Sequence, residues 1–143
     1  MKYSFIILFV LIFLLASCSK KKEEKLKAYN STAFAYDLGD KSWEVDASAR
    51  VKGFTQKKEG DMFKASLAFE INLITPKNDT IKSLISKVVD RSEKEQMSDT
   101  GLEAQFDLDS TYSYGTYKLL WNVKDVATND TASASTNFKL SSE

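Results

Sequence analysis

From residue 43 to residue 140, apolar and polar side chains alternate with a period of two, and this confines most of the chain to extended strands. Trp43, Val45, Ala47, Ala49 and Val51 alternate with Glu44, Asp46, Ser48 and Arg50. Phe63, Ala65, Leu67, Phe69, Ile71 and Leu73 alternate with Lys64, Ser66, Glu70 and Asn72. Leu102, Ala104, Phe106 and Leu108 alternate with Glu103, Gln105 and Asp107. Tyr117, Leu119, Trp121 and Val123 form a fourth run, and Ala132, Ala134, Thr136, Phe138 and Leu140 a fifth. Strict alternation sends one set of side chains to a core and the other to water. Antiparallel sheets covered on one face read this way.

Turn residues separate the runs. Lys58-Glu59-Gly60-Asp61 reads as a hairpin loop, and Thr75-Pro76-Lys77-Asn78-Asp79 ends the second run. Ser110 to Gly115 precedes the Tyr117 strand, and Thr128-Asn129-Asp130 precedes the last. Ala33 to Leu38 adds a weaker strand at the start. Ile81, Leu84, Ile85, Val88 and Val89 carry helical spacing. Their β-branched side chains favour a strand, so Ile81, Ser83 and Ile85 are expected as an edge strand. Ser92 to Thr100 is then an exposed loop. The expected fold is all-β: a single antiparallel β-sandwich of about seven strands. Trp43, Phe63, Phe69, Phe106, Trp121 and Phe138 are its expected large core residues.

Leu108 to Tyr112, Gly115-Thr116-Tyr117-Lys118-Leu119, Val123-Lys124-Asp125 and Phe138-Lys139-Leu140 resemble the last two strands of bacterial immunoglobulin-like domains. The resemblance covers the final third of the domain. It implies an immunoglobulin-like β-sandwich in which Gly115 admits a tight corner and Tyr117 packs across it, its hydroxyl bonding backbone. The Cys-Trp-Cys pattern of antibody domains is missing. The likeness concerns fold, and fold does not give function.

The N-terminus is a different kind of sequence. Lys2 is followed by the apolar run Phe5 to Leu15, and Lys20, Lys21 and Lys22 come soon after. A cation, a short apolar stretch and then small residues are the order of a signal peptide. A spanning helix needs about 20 apolar residues, and this run is shorter. Leu15-Ala16-Ser17-Cys18 resembles the lipobox of bacterial lipoproteins. The resemblance implies cleavage between Ser17 and Cys18 and diacylglycerol on the Cys18 sulfur. Cys18 is the only cysteine, so no intrachain disulfide can form. Each buried lipid methylene contributes about 0.8 kcal/mol, so several acyl chains hold a protein on its membrane. The expected layout is a signal peptide over 1–17, a lipidated charged tether over 18–30 and the sandwich over 31–143. Lys22-Glu23-Glu24 also resembles the lysine-acid-acid export signal of Bacteroidota surface lipoproteins. Asp79-Thr80-Ile81, Asp109-Ser110-Thr111 and Asp130-Thr131-Ala132 resemble that group's O-glycosylation motif.

Composition narrows the chemistry. Basic and acidic residues balance at twenty each, so no overall basic field attracts nucleic acid. Histidine is absent, which removes the commonest general base and a common metal ligand. Asp107/Asp109 and Asp125/Asp130 could offer oxygen ligands, but their spacing is not that of an EF-hand. No catalytic constellation, cofactor motif or metal site is expected. Tyr112 and Tyr114 cluster near a loop and are the candidate contact surface.

These readings predict a membrane-anchored envelope lipoprotein at the outer membrane, since Ser19 stands where enterobacterial lipoproteins retained inside carry aspartate. It should act as a non-catalytic binding or accessory module for an envelope protein partner. The alternative is a carbohydrate-binding lipoprotein or the accessory domain of a hydrolase system. A cleft lined by exposed aromatics would favour sugar; a flat apolar patch of several hundred Å² would favour protein.

Overall fold

The computed structural model describes residues 24–141. They form eight strands: β1 (Lys27–Gly39), β2 (Ser42–Lys52), β3 (Lys57–Glu59), β4 (Met62–Ile74), β5 (Thr80–Glu93), β6 (Asp99–Leu108), β7 (Gly115–Asp125) and β8 (Thr131–Leu140). All pairings are antiparallel. One sheet has three strands in the order β1-β2-β6. The other has five: β4 pairs with β5 along one edge and with β3 and β7 along the other, and β8 follows β7. The two sheets stack as a sandwich, with β1 running alongside β8 at one side.

The alternating residues do what their spacing predicts. Val45, Val51, Leu67, Ile71, Leu73, Leu102, Leu108, Leu119, Trp121 and Leu140 are fully buried between the sheets. Trp121 lies tilted against Phe69, centroids 5.2 Å apart, and Tyr117 stacks on Phe138 at 5.6 Å. Phe63 and Phe106, expected in the core, are only half-buried. Phe63 pairs with the ends of β3 and β5, where sheet cover runs out.

Two-residue turns set the hairpins. Asp40 and Lys41 connect Gly39 to its register partner Ser42, both with positive φ. That is the backbone of a primed turn, whose twist suits a hairpin. Gly60 and Asp61 connect Glu59 to Met62, and Gly60 supplies φ +60° at the first central position. β3 is too short for alternation to announce it.

The helical spacing at Ile81 has a β explanation. Ile81 pairs with Leu73 and Ile85 with Ile71, so four residues of β5 span two of β4. The extra pair forms a bulge at Ser83, where φ is +53° and the N–H donates to Asn72 Oδ1 at 2.8 Å. Two extra residues leave side-chain parity unchanged, so Ile81, Ile85 and Val89 share the inward set. The helix-like interval arises because apolar Leu84, at the bulge, and exposed Val88 fall on the other parity. β5 is therefore much longer than the expected edge strand. The expected loop from Ser92 to Thr100 shrinks to residues 94–98, because Ser92 and Glu93 stay in β5 and Asp99 opens β6.

The expected tether boundary also moves. β1 begins at Lys27, Ala28 is buried and Leu26 packs against the core. Glu24 forms an ion pair with Lys52. Alternation is interrupted at Asn30, where φ is +47° and the β1–β2 register shifts. The strand's first half was unreadable for that reason.

Candidate binding face

The strands give the sandwich two distinct ends. The chain enters β1 at the end holding residues 53–56, 94–98 and 125–130. There Gln56 and Met97 exchange two hydrogen bonds of 2.8 Å. Asp125 reaches Thr55 N–H at 2.6 Å. The opposite end holds the turn at residues 40–41, the loop from Asp109 to Tyr114 and the turn at residues 75–79, with Pro76 against Gly115.

The expected aromatic pair lies at this far end, but its rings turn to different neighbours. Tyr112 is half-buried, 6.3 Å from Tyr117. Tyr114 stands edge-on to Trp43 at 5.7 Å and remains 47 % exposed. Ser17 and Cys18, the expected cleavage and lipidation positions, lie outside the described residues, as does the signal peptide over 1–17.

A larger exposed surface is the outer face of the three-stranded sheet. From Thr32 onward the even-numbered side chains of β1 point outward there, with the even-numbered ones of β2 and the odd-numbered ones of β6. Phe34, Tyr36 and Leu38 stand in single file on β1, 61 %, 53 % and 58 % exposed. Their register neighbours are polar: Phe34 faces Asp46, which faces Gln105. Tyr36 faces Glu44, which faces Asp107. Thr32 faces Ser48, which faces Glu103, and the two hydroxyls lie 2.9 Å apart.

Charge divides this face in two. Near the chain's entrance, Asp99 accepts from Arg50 Nε at 3.0 Å and from the Tyr29 hydroxyl at 2.5 Å. The Arg50 guanidinium, helped by Tyr29, holds the Asp99 carboxyl below its usual range, and Asp99 in turn raises Arg50. Glu24 likewise raises Lys52. Farther out, Glu44, Asp46, Glu103 and Asp107 form no ion pair among the described residues. Glu44 and Asp107 are direct cross-strand neighbours, an unfavourable like-charge pairing.

A shallow groove of about 590 Å³ crosses the face beside Phe34. Thr32, Asp46, Ser48, Glu103 and Gln105 line it, and Lys87 closes it from the other sheet. Lys87 shares the inward parity of Ile85 and Val89 on β5, opposite Phe69. β5 is an edge strand, so its side chains extend past the core toward β6. Arg91 shows the same reach, donating to Thr100 Oγ1 at 3.0 Å and to the Gly101 carbonyl at 2.8 Å. A second groove of about 500 Å³, on the five-stranded sheet, has Glu70, Ser86, Asn122, Lys124 and Ser133 but no exposed aromatic ring.

In each acidic pair considered as ion ligands, one carboxylate is engaged by backbone donors. Asp125 accepts from Thr55 and Ala127 backbone N–H groups, and Asp109 from Thr111. Among the described residues, no group of three or more acidic or other ligating side chains is placed to hold a metal ion.

Phe34 and Tyr36 were missed as a contact surface because Ala33 to Leu38 reads only as a weak strand. In the sequence, Phe34, Tyr36 and Leu38 alternate with Ala33 and Ala35, and two apolar sets do not say which one faces out.

No family model matches the chain, and no curated protein matches it either. Solved structures do. A Bacteroides uniformis β-glucuronidase superposes with a TM-score of 0.58 at 7 % identity, over 81 % of this chain and 14 % of that one. A calcium-binding mutant of Bacteroides uniformis β-glucuronidase 2 gives 0.56 at 8 %, over 77 % and 13 %. A candidate β-galactosidase of Bacteroides fragilis gives 0.53 at 10 %, over 82 % and 18 %. At such identities the likeness speaks for the β-sandwich fold. The chain spans less than a fifth of the length of each of these proteins.

Proposed function

We propose that this chain is a lipid-anchored, non-catalytic carbohydrate-binding module of the bacterial cell envelope. The observation that carries the proposal is the groove beside Phe34. It joins an exposed aromatic face to a floor of hydroxyl, amide and carboxylate groups. A sugar ring offers both counterparts: an apolar C–H face and a rim of hydroxyls that donate and accept. A protein partner, the first expectation from sequence, is served less well. Three apolar side chains in single file beside four unpaired carboxylates are not a broad apolar patch.

A non-catalytic role fits the same surface. General acid chemistry needs groups converging in a sheltered pocket. Asp46 and Glu103 stand exposed on an open face. An immunoglobulin-like type of sandwich is supported by the Tyr117 corner and by the strand orders β1-β2-β6 and β5-β4-β7-β8. Lipid at Cys18 would place the chain on the outer membrane. Phe34 lies seven residues along β1 from Lys27, about 23 Å at strand rise, so the groove would stand off from the point where the tether joins the sandwich.

Native lipidated protein, purified from membranes in detergent, tests the reading. It should retain glycan from a solubilised envelope extract and lose it when Phe34 and Tyr36 become Ala. Recovery of one stoichiometric protein with no glycan would replace the carbohydrate by a protein partner. Hydrolysis of the retained glycan would make it an enzyme. An unmodified Cys18 in mass spectra would remove the anchor.

A further inference from the structure

We infer that the groove between Phe34 and Lys87 selects uncharged sugar chains and rejects acidic ones. This rests on the carbohydrate-binding reading above and adds the chemical class of the ligand.

The inference comes from the charge around the groove. Asp46 and Glu103 lie within it, and Glu44 and Asp107 border it one register row farther out. None of the four has an ion-pair partner among the described residues. On the same face Arg50 and Lys52 are taken by Asp99 and Glu24, and Lys27, beside Lys52 at the chain's entrance, lies outside the groove lining. Lys87 is the single cation in the groove lining. A ligand seated there meets an excess of negative charge.

Hydroxyl groups suit such a floor. They donate to the Asp46 and Glu103 carboxylates, and they accept from the Gln105 amide and the Lys87 ammonium. Hydrogen bonds to charged partners are the stronger kind. A uronate or sulfate in the same seat brings a like charge beside these carboxylates. Each like-charge pair at 4 Å costs about 1 kcal/mol even in bulk water. Several pairs act at once, since the groove is narrower than about two screening lengths at physiological salt. The Phe34 ring is indifferent to charge and holds either kind of ring. Selection therefore falls to the carboxylates.

Affinity gel electrophoresis of the lipidated protein in detergent tests this with four defined polymers. Two are neutral, a β-glucan and a mannan. Two are acidic, polygalacturonate and alginate. Retardation by a neutral polymer, with none by the acidic pair, is the expected result. Retardation by an acidic polymer overturns the selectivity while leaving the carbohydrate reading in place. No retardation by any of the four overturns the carbohydrate reading itself.

Two variants locate the effect. Phe34→Ala should weaken retention by the neutral polymer at least about tenfold, the equivalent of 1.4 kcal/mol. Asp46→Asn combined with Glu103→Gln should admit the acidic polymers. A double variant that still rejects them overturns the assignment of selectivity to these two carboxylates. A urea unfolding curve for each variant separates lost binding from lost fold.

Discussion

The Tyr117 hydroxyl donates to the Ser113 carbonyl at 2.8 Å, tying the start of β7 to the loop that feeds it. The ring is 1 % exposed, stacked on Phe138 and tilted against Tyr112. Tyr117→Phe keeps the ring and removes the donor. It should cost about 1 kcal/mol, the usual net worth of one such bond. Tyr117→Ala also removes the ring and should cost about 3–5 kcal/mol. Urea midpoints at constant slope measure both. No loss in the Phe variant would mean that the hydroxyl does not hold the corner.

Asp125 makes the corresponding tie at the other end. Its carboxylate accepts from Thr55 N–H at 2.6 Å and from Ala127 N–H at 2.9 Å, and the residue is 2 % exposed. Burial pushes its carboxyl up, but the N–H donors of Thr55 and Ala127 outweigh burial and hold it below the usual range. The unfolded chain, titrating near about pH 3.9, takes up the proton first as pH falls. The stabilisation is therefore complete above about pH 4 and fades as pH drops through the lower folded value. Asp125→Asn should lose about 2 kcal/mol near neutral pH. The gap to the parent should narrow toward pH 3. A gap that stayed constant with pH would assign the effect to packing instead of charge.

Most of the sandwich was legible because burial on one face leaves a period of two, and that period survives wherever a strand is regular. β2, β4, β6, β7 and β8 were read this way, and Gly60 marked a hairpin. The signal failed where backbone irregularity shifts parity or apolar residues fall on both parities. Asn30 breaks the phase of β1; on β5 the two-residue bulge at Ser83 keeps the phase, and apolar Leu84 and Val88 on the other parity blur it. Phe106 is the reverse case: its alternation is perfect, yet it lies on β6, where the facing strand β5 is an edge and covers it only partly. Pairing decides cover, and pairing is not written in any single run.

Gly115 carries a local prediction. Its φ is +143°, and a Cβ there would lie 2.7 Å from Pro76 Cγ. The proline ring has little freedom to withdraw. Gly115→Ala should cost about 1–3 kcal/mol from the backbone conformation and the clash together. Adding Pro76→Ala should recover the clash but not the backbone part. Thermal melting of both variants tests the division. Full recovery would show that only the steric contact matters.

The candidate face was harder to read than the fold, for a reason that also yields its clearest test. Tyr112 and Tyr114 are both expected to be exposed because a loop surrounds them; Tyr112 packs half-buried against Tyr117, while Tyr114 meets Trp43 edge-on and stays 47 % exposed. Phe34 and Tyr36 sit in a regular stretch of strand and look like core by composition. Only the pairing of β1 with β2 shows that they share the outer face with Asp46 and Glu44. Residues that exposed add little to folding. Phe34→Ala and Tyr36→Ala should each change stability by no more than about 0.5 kcal/mol, as surface substitutions usually do. Trp43→Ala, one strand away and 2 % exposed, should cost about 3–5 kcal/mol. Ligand retention should follow the opposite order, lost in the two β1 variants while their melting curves overlay the parent's. If Phe34→Ala instead destabilised the chain by several kcal/mol, its ring would be doing structural work, and the groove beside it would lose its claim to a ligand.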